Sequence, residues 1–198
     1  SLKLAEVKNF RENFSYKKLK IINIDLKFKD PFKIPNKNVS KFITSSLTLA
    51  HKLALNDDVN GIINCPIDKK LLNNKYLGVT EFFAKKCGVK NNSEVMLIKS
   101  NKLSVSPITT HARVIQVSKK VKLSTIINKI KTIEFWFKKH KKRKPKIAIL
   151  GLNPHNSELR KNSEETKIII PAIKKLKKLN ININEPFSSD TLFIENYK

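Results

Sequence analysis

Glycine is scarce in this chain, which has only four glycines among its 198 residues. None of them belongs to a Gly-x-Gly-x-x-Gly pattern. In Rossmann folds that pattern forms the tight turn that lets the backbone approach a dinucleotide pyrophosphate. The sequence therefore excludes an ordinary Rossmann dinucleotide loop.

Cysteines and long apolar runs are also scarce. Cys65 and Cys87 lie in unrelated contexts and form no Cys-x-x-Cys motif, so we interpret them as reduced thiols of a cytoplasmic protein. No run of about 18 apolar residues occurs, so we expect no membrane span. The first residues mix charges with apolar side chains, unlike a secretory signal. Because Ser1 rather than methionine opens the chain, we interpret it as a fragment or a processed protein.

Acidic residues are few, with 16 Asp and Glu against 41 Lys and Arg, giving a formal net charge of +25. Such a charge is typical of nucleic-acid-binding proteins. Here, however, the lysines are spread along the whole chain, and few aromatic residues are interleaved with the densest cluster, residues 138–144. The chain is also rich in Asn and Ile. We therefore favour a compositional origin of the charge over a nucleic-acid partner.

The remaining pattern is that of an α/β protein. The hydrophobic content of 40% allows one substantial core or most of two small lobes. Short apolar runs alternate with segments of helical periodicity, as in layered α/β sheets. We interpret residues 1–19 as the continuation of a segment that begins before this chain. Helices are predicted at residues 39–55, 82–88, 124–140 and 163–179, and strands at 20–28, 61–65, 94–98, 103–108 and 147–150.

Two histidines follow predicted strands directly. His155 comes after the strand Ile147–Leu150 and a polar loop with Pro154, and His111 comes after the strand 103–108. Open α/β sheets bind ligands at the carboxyl ends of their strands. Neighbouring strands would bring both imidazoles to one edge of a sheet, so both histidines are candidate ligands.

Lys69 and Thr80 are candidate anion-binding residues. Lys69 follows the predicted strand 61–65 and can bind a phosphate as a point charge, although a solvated lysine is an equal alternative. Thr80 precedes the helix 82–88, so it is a candidate N-cap at a helix start that suits an anionic group.

Five motifs occur in one order along the chain. Together they resemble the 4-hydroxythreonine-4-phosphate dehydrogenase family of pyridoxal-phosphate biosynthesis, from about Val39 to the end. The motifs are Asn64–Lys69, Gly78–Phe82, Thr109–His111, Gly151–His155 followed by Glu158, Glu164 and Glu165, and Asp190–Phe193.

The resemblance implies a three-layer α/β/α fold like that of the isocitrate and isopropylmalate dehydrogenases, here incomplete at both ends. Residues 1–198 would be the central part of one dehydrogenase chain, whose lobes the sequence does not separate. Family members are homodimers that bind NAD or NADP without a glycine-rich loop. They hold a divalent cation such as zinc, magnesium or cobalt with three histidines. Two of these map onto His111 and His155, and the third lies beyond Lys198.

The family reaction oxidises the C3 hydroxyl of 4-phosphohydroxy-L-threonine by hydride transfer to NAD or NADP, and the keto acid then loses CO₂. By the same resemblance Lys69 neutralises a phosphate or carboxylate, Thr80 contacts the substrate, and Asp190 orients the substrate or a metal ligand. The nicotinamide site is not assigned. Val79 stands where the family usually carries histidine, and residues 159–161 replace its usual glycines.

Three alternatives stay open. A sister enzyme of the same fold would oxidise another 4-phosphorylated acid, of the threonate or erythronate type. A basic, non-catalytic domain would bind nucleic acid with a steep salt dependence. A degenerate relative would have no activity, and the 198 residues alone are expected to be inactive because the third histidine is missing.

Overall fold

The computed structural model describes residues 3–9, 11, 17–56, 58–72, 76, 78–90 and 92–192. It divides into two compact units, Ser1–Cys87 and Gly88–Lys198. Both contain helices as well as strands, so the expectation of a mixed α/β chain is confirmed. None of the described helices is long and apolar enough to cross a membrane.

The first unit combines a parallel strand pair with two helices. Strand β1 (Lys3–Glu6) pairs with β2 (Lys18–Ile21), and Leu4 lies opposite Leu19. Helix α1 (Asn36–Leu55) confirms the helix predicted at residues 39–55. A 3₁₀ turn at Lys69–Leu72 precedes helix α2 (Val79–Lys86). The core of this unit is a buried cluster, one residue from each of these three helical elements: Leu47, Leu72 and Phe82.

The strand predicted at residues 61–65 is wrong. Residues 61–68 lie outside any helix or strand, and Ile63 is fully exposed. A short apolar run becomes a strand only where a neighbouring strand pairs with it. The first strand pair also differs from the prediction, because β2 ends at Ile21 and β1 lies within residues 1–19, where no strand was predicted.

The second unit begins with the predicted hairpin, shortened to β3 (Ile98–Lys99) and β4 (Ser104–Val105). Helix α3 (Val114–Lys120) was not predicted, because none of its residues is buried and so no apolar stripe marks it. Helix α4 (Leu123–Lys141) confirms the long predicted helix.

The segment that carries His155 is held by parallel pairing that the sequence did not reveal. Ile147 pairs with Ile183, and Leu150 pairs with Phe187, as isolated parallel bridges. The N–H of Gly151 donates to the carbonyl of Phe187 at 2.9 Å. The predicted strand 147–150 is therefore present as an extended segment, paired with a partner that follows the last helix.

The last predicted helix, residues 163–179, is confirmed, but it is not α-helical throughout. A π-helical turn at Glu165–Ile169 continues into helix α5 (Ile170–Lys178). Pro171 directly follows the point where the π-helical turn becomes α-helical, and it has no N–H to donate to a carbonyl of the preceding turn.

The core of the second unit is centred on α5. Ala172, Ile173 and Leu176 are completely buried, and they pack with residues of α4 and of the paired extended segments. The other buried members of this cluster are Val121, Ile126, Ile130, Ile149, Ile169, Ile181 and Ile183.

We predict that Leu176→Ala will lower the free energy of unfolding by about 2–5 kcal/mol, because it opens a cavity among completely buried side chains. The matched control is Leu179→Ala, at a leucine that is 51% exposed one turn later, with an expected change within about 0.5 kcal/mol. Urea titration measures both. Equal losses would show that α5 is not the centre of the core.

Candidate functional site

His155 lies on a loop with unusual backbone geometry, residues 152–160, which we call the histidine loop. From His155 to Leu159 every residue has a φ between 49° and 55°, in the left-handed region. This conformation costs roughly 1–2 kcal/mol per residue for side chains other than glycine. No glycine lies among the five. The turn is closed by two hydrogen bonds, from Asn156 N–H to the Asn153 carbonyl and from Arg160 N–H to the Ser157 carbonyl.

Glu165 holds the beginning of this loop. Its side chain is completely buried, and Oε1 accepts the backbone N–H groups of Leu152 and Asn153, both at 2.9 Å. The side-chain amide of Asn153 donates to both carboxylate oxygens, at 3.2 and 3.1 Å. Burial is the largest single effect and raises the pKa of Glu165, but hydrogen bonds from Asn153, from the Glu165 backbone and from Ser163 together outweigh it and leave the pKa below its ordinary value. The carboxylate is therefore ionised at neutral pH.

Asn156 connects the middle of the loop to the neighbouring segment. Its Nδ2 donates to the carbonyl of Pro186 at 3.1 Å. Its Oδ1 would lie only 1.9 Å from a Cβ built on Gly151, so no other residue fits at Gly151 without a shift of this side chain. Glycine at 151 thus has a steric reason, which is the close approach of Asn156.

Asp190 lies beside His155. Its Oδ2 is 3.3 Å from Nδ1 of the imidazole, and the His155 side chain is 74% exposed. A hydrogen bond from the Ser188 hydroxyl, with a further contribution from His155, lowers the pKa of Asp190. A carboxylate at Nδ1 is the usual orienting partner of a metal-ligating histidine, whose Nε2 is then the ligating atom.

His111 lies on another exposed loop of the same unit. Like His155 it adopts a left-handed φ, here 51°. Ile108, three residues before it, packs on the same core cluster as Leu152 of the histidine loop. Each histidine therefore lies three residues after a side chain that packs on this one core cluster.

The two imidazoles are donors of the kind that zinc and similar divalent cations prefer. In the part of the chain that the structure describes, no group of three or more His, Cys, Asp or Glu side chains could hold a metal ion. A structural zinc site needs four protein ligands, and a catalytic one needs three. The described residues therefore form no complete metal site, and His155 has one carboxylate, that of Asp190, beside its Nδ1.

Lys69 and Thr80 belong to the first unit. Lys69 is exposed and opens the 3₁₀ turn, which is capped by Asp68 through a hydrogen bond from Lys70 N–H at 2.9 Å. The prediction of Thr80 as an N-cap is wrong. Helix α2 begins at Val79, the cap position is occupied by Gly78, and no side chain caps it. Thr80 therefore lies inside the first turn.

Val79 has a structural explanation. It is partly buried and packs against the core cluster of the first unit. Phe193, the last residue of the motif that includes Asp190, lies outside the described residues.

Sequence reasoning noticed Glu165 in its motif but gave it no role, and it gave Asn156 none. The usable signal for Glu165 was a carboxylate at the start of a helix, just after a polar loop, where backbone N–H groups and the helix dipole favour an anion. No comparable signal marks Asn156, because its contact with Pro186 spans 30 residues.

The comparisons agree with one another. The family model described as pyridoxal phosphate biosynthetic protein PdxA matches residues 1–198. A 4-hydroxythreonine-4-phosphate dehydrogenase from Sulfurihydrogenibium is 37% identical over 163 residues, covering 80% of this chain and 50% of the relative. A relative from Oceanobacillus iheyensis, provisionally named D-threonate 4-phosphate dehydrogenase, is 34% identical, covering 74% of this chain and 45% of its own length. The chain thus spans about half the length of these relatives.

A solved structure gives the same result for the fold. The crystal structure of 4-hydroxythreonine-4-phosphate dehydrogenase from Klebsiella pneumoniae matches 99% of this chain and 62% of its own, with a TM-score of 0.84 and 24% identity. At that identity the likeness concerns the fold.

We predict that Ser157→Gly will raise the free energy of unfolding by about 0.5–1 kcal/mol, because glycine adopts the left-handed conformation without steric cost. Ser118→Gly is the control, at an exposed residue within α3, and should instead lower it by a few tenths, about 0.5 kcal/mol. Chemical denaturation distinguishes the two. A destabilised Ser157→Gly protein would mean that the left-handed turn is not strained.

We also predict an acid-dependent contribution from Glu165. Because its pKa is lowered on folding, its ionised form stabilises the folded state above the unfolded-state pKa, and this stabilisation is lost as the pH falls through the folded-state pKa. Glu165→Gln should therefore destabilise the protein at neutral pH more than at about pH 3. The control is Glu158→Gln, at a carboxylate that is 72% exposed on the same loop. A pH-independent loss for Glu165→Gln would contradict the prediction.

Proposed function

Since the chain belongs to the family of pyridoxal phosphate biosynthetic proteins called PdxA, we propose that the protein containing it is a 4-hydroxythreonine-4-phosphate dehydrogenase. It would oxidise 4-phosphohydroxy-L-threonine with NAD or NADP, and decarboxylation would follow to give 3-amino-2-oxopropyl phosphate. The observation that carries the proposal is the His155–Asp190 pair on the histidine loop, the arrangement expected behind a metal ligand.

His111 and His155 would hold a divalent cation, zinc, magnesium or cobalt, together with a further ligand. When bound, such a cation acidifies the substrate hydroxyl and polarises the ketone. Asp190 would orient the ring of His155 through its contact with Nδ1, so that Nε2 is the atom presented to the cation. Lys69 neutralises the phosphate or carboxylate of the substrate, and the Thr80 hydroxyl contacts it.

For the complete enzyme we propose the three-layer α/β/α architecture of the isocitrate and isopropylmalate dehydrogenases. It would act as a homodimer in the cytoplasm. It would bind NAD or NADP without a glycine-rich loop. The likeness of fold to the Klebsiella pneumoniae enzyme supports the family architecture.

A second candidate is oxidation of another 4-phosphorylated acid, such as D-threonate 4-phosphate. Val79 favours this second substrate class, because valine cannot donate the hydrogen bond that the family's usual histidine would give to the substrate. The name of the Oceanobacillus iheyensis relative points to the same substrate class.

We predict that His111→Ala and His155→Ala will each lower the metal content of the protein, measured by elemental analysis on the longest expressed protein that contains these 198 residues. His140→Ala is the control, because His140 lies in the basic run at the end of α4 and contacts Trp136. Full metal occupancy in either of the first two variants would refute that ligand assignment.

We predict that the same expressed protein will reduce NAD or NADP when 4-phosphohydroxy-L-threonine is supplied. The absorbance of the reduced cofactor measures the rate. A higher kcat/KM for D-threonate 4-phosphate would favour the second candidate. In that assay Val79→His should lower KM for the phosphorylated amino acid if the site otherwise matches the family. No change would mean that another residue has taken over this contact.

A further inference from the structure

We propose that Glu165 is the positioning residue for His155: its buried carboxylate fixes the histidine loop in the conformation that presents the imidazole. This inference rests on the proposed function only for the identity of the bound cation. The positioning itself concerns the loop and can be measured without metal.

The first step concerns the energy of the loop. Residues 155–159 are five successive left-handed residues without glycine, and two hydrogen bonds within the turn close it. Steric preference alone would return such a segment to the right-handed or extended region. Strained backbone of this kind persists only when its surroundings determine it. The loop therefore needs anchors outside itself.

The second step identifies the anchors. Glu165 accepts the N–H groups of Leu152 and Asn153 at the beginning of the loop. Thr166, the next residue, donates its hydroxyl to the carbonyl of Arg160 at 2.8 Å, at the end of the loop. Adjacent residues at one helix start thus hold both ends of the strained turn.

The third step explains why these anchors are rigid. The π-helical turn that contains Glu165 and Thr166 continues into α5, whose Ala172, Ile173 and Leu176 are completely buried. Side chains in such a core have little freedom to move. Rigidity is thereby transmitted from the core to Glu165, from Glu165 to Asn153, and through Pro154 to His155.

The fourth step concerns the chemistry of the side chain. Every group of the loop that contacts the carboxylate is a donor: the N–H groups of Leu152 and Asn153 reach Oε1, and the Asn153 amide, which also donates to Glu164, lies within reach of both oxygens. A glutamine has one oxygen and one NH₂ group, which would face a donor of Asn153. The negative charge also lies at a helix start, where it is favourable. Glutamine at 165 would therefore loosen the loop while conserving volume.

Complete burial separates this role from a catalytic one. Glu165 is 0% exposed, so it cannot contact a substrate, whereas His155 on the same loop is largely exposed. The group acts through Asn153 and the loop backbone. Residues that orient a metal ligand in this manner typically change metal affinity by about 10–100-fold when removed.

The test compares Glu165→Gln with Glu134→Gln, the same substitution at another buried carboxylate, which pairs with Lys138 on α4. Hydrogen exchange with mass spectrometry would follow the peptides that cover residues 150–160 and those of α4. Zinc affinity would be measured by competition with a chromophoric chelator, using the longest expressed protein that contains the chain.

For Glu165→Gln we expect faster exchange in the histidine loop with unchanged exchange in α4, and zinc affinity about 10–100-fold weaker than in the unsubstituted protein. Glu134→Gln should leave both the loop exchange and the zinc affinity unchanged. Should Glu165→Gln fail to fold, Glu165→Asp, which keeps the charge on a shorter side chain, should give a smaller change of the same kind.

Unchanged loop exchange in Glu165→Gln, or equal acceleration in the loop and in α4, would overturn the proposal. Unchanged zinc affinity in Glu165→Gln together with a loss in His155→Ala would also overturn it, while leaving the proposed function standing. If His155→Ala binds zinc as well as the unsubstituted protein, the metal assignment fails. The loop exchange then decides the positioning role by itself.

Discussion

The part of this structure that would carry chemistry depends on one buried carboxylate and the N–H donors that it accepts. Glu165 joins the start of the last helix to Leu152 and Asn153. If the beginning of the histidine loop were not held, residues 155–159 would relax from the left-handed conformation, which is unfavourable for residues other than glycine. The geometry of His155 and its contact with Asp190 therefore follow from an interaction that involves neither residue. Ionisation of Glu165 is essential to it, because every partner is a donor.

Two departures from the family pattern have structural consequences that compensate in part. Where the family usually carries histidine, Val79 adds to the apolar cluster of Leu47, Leu72 and Phe82. In the histidine loop, Asn156 connects to the carbonyl of Pro186 and lies closely against Gly151. Residues 152–160 contain no glycine, and side-chain hydrogen bonds hold the left-handed backbone there.

The accuracy of prediction from sequence followed the range of the interactions involved. Helices α1 and α4 were predicted within a few residues, because each has an apolar stripe at helical spacing that needs no knowledge of the partner. The strand predicted at residues 61–65 was wrong, since an apolar run says nothing about whether another strand pairs with it. Helix α3 was missed for the opposite reason, because it buries no residue and so lacks a stripe. Thr80 was placed at a helix cap that Gly78 occupies.

The sequence by itself determined the two apolar helices, the order of the family motifs, and the identity of His111, His155 and Asp190 as candidates. The helices and the two histidines follow from residue type and local spacing, and the motif order and Asp190 follow from the resemblance to the family. Only the tertiary structure decided that Asp190 contacts His155, that Glu165 holds the loop, and that residues 147–150 pair with the segment after α5. Each of these contacts joins residues more than ten positions apart. Such contacts form when α5 packs into the core, and no local pattern records them.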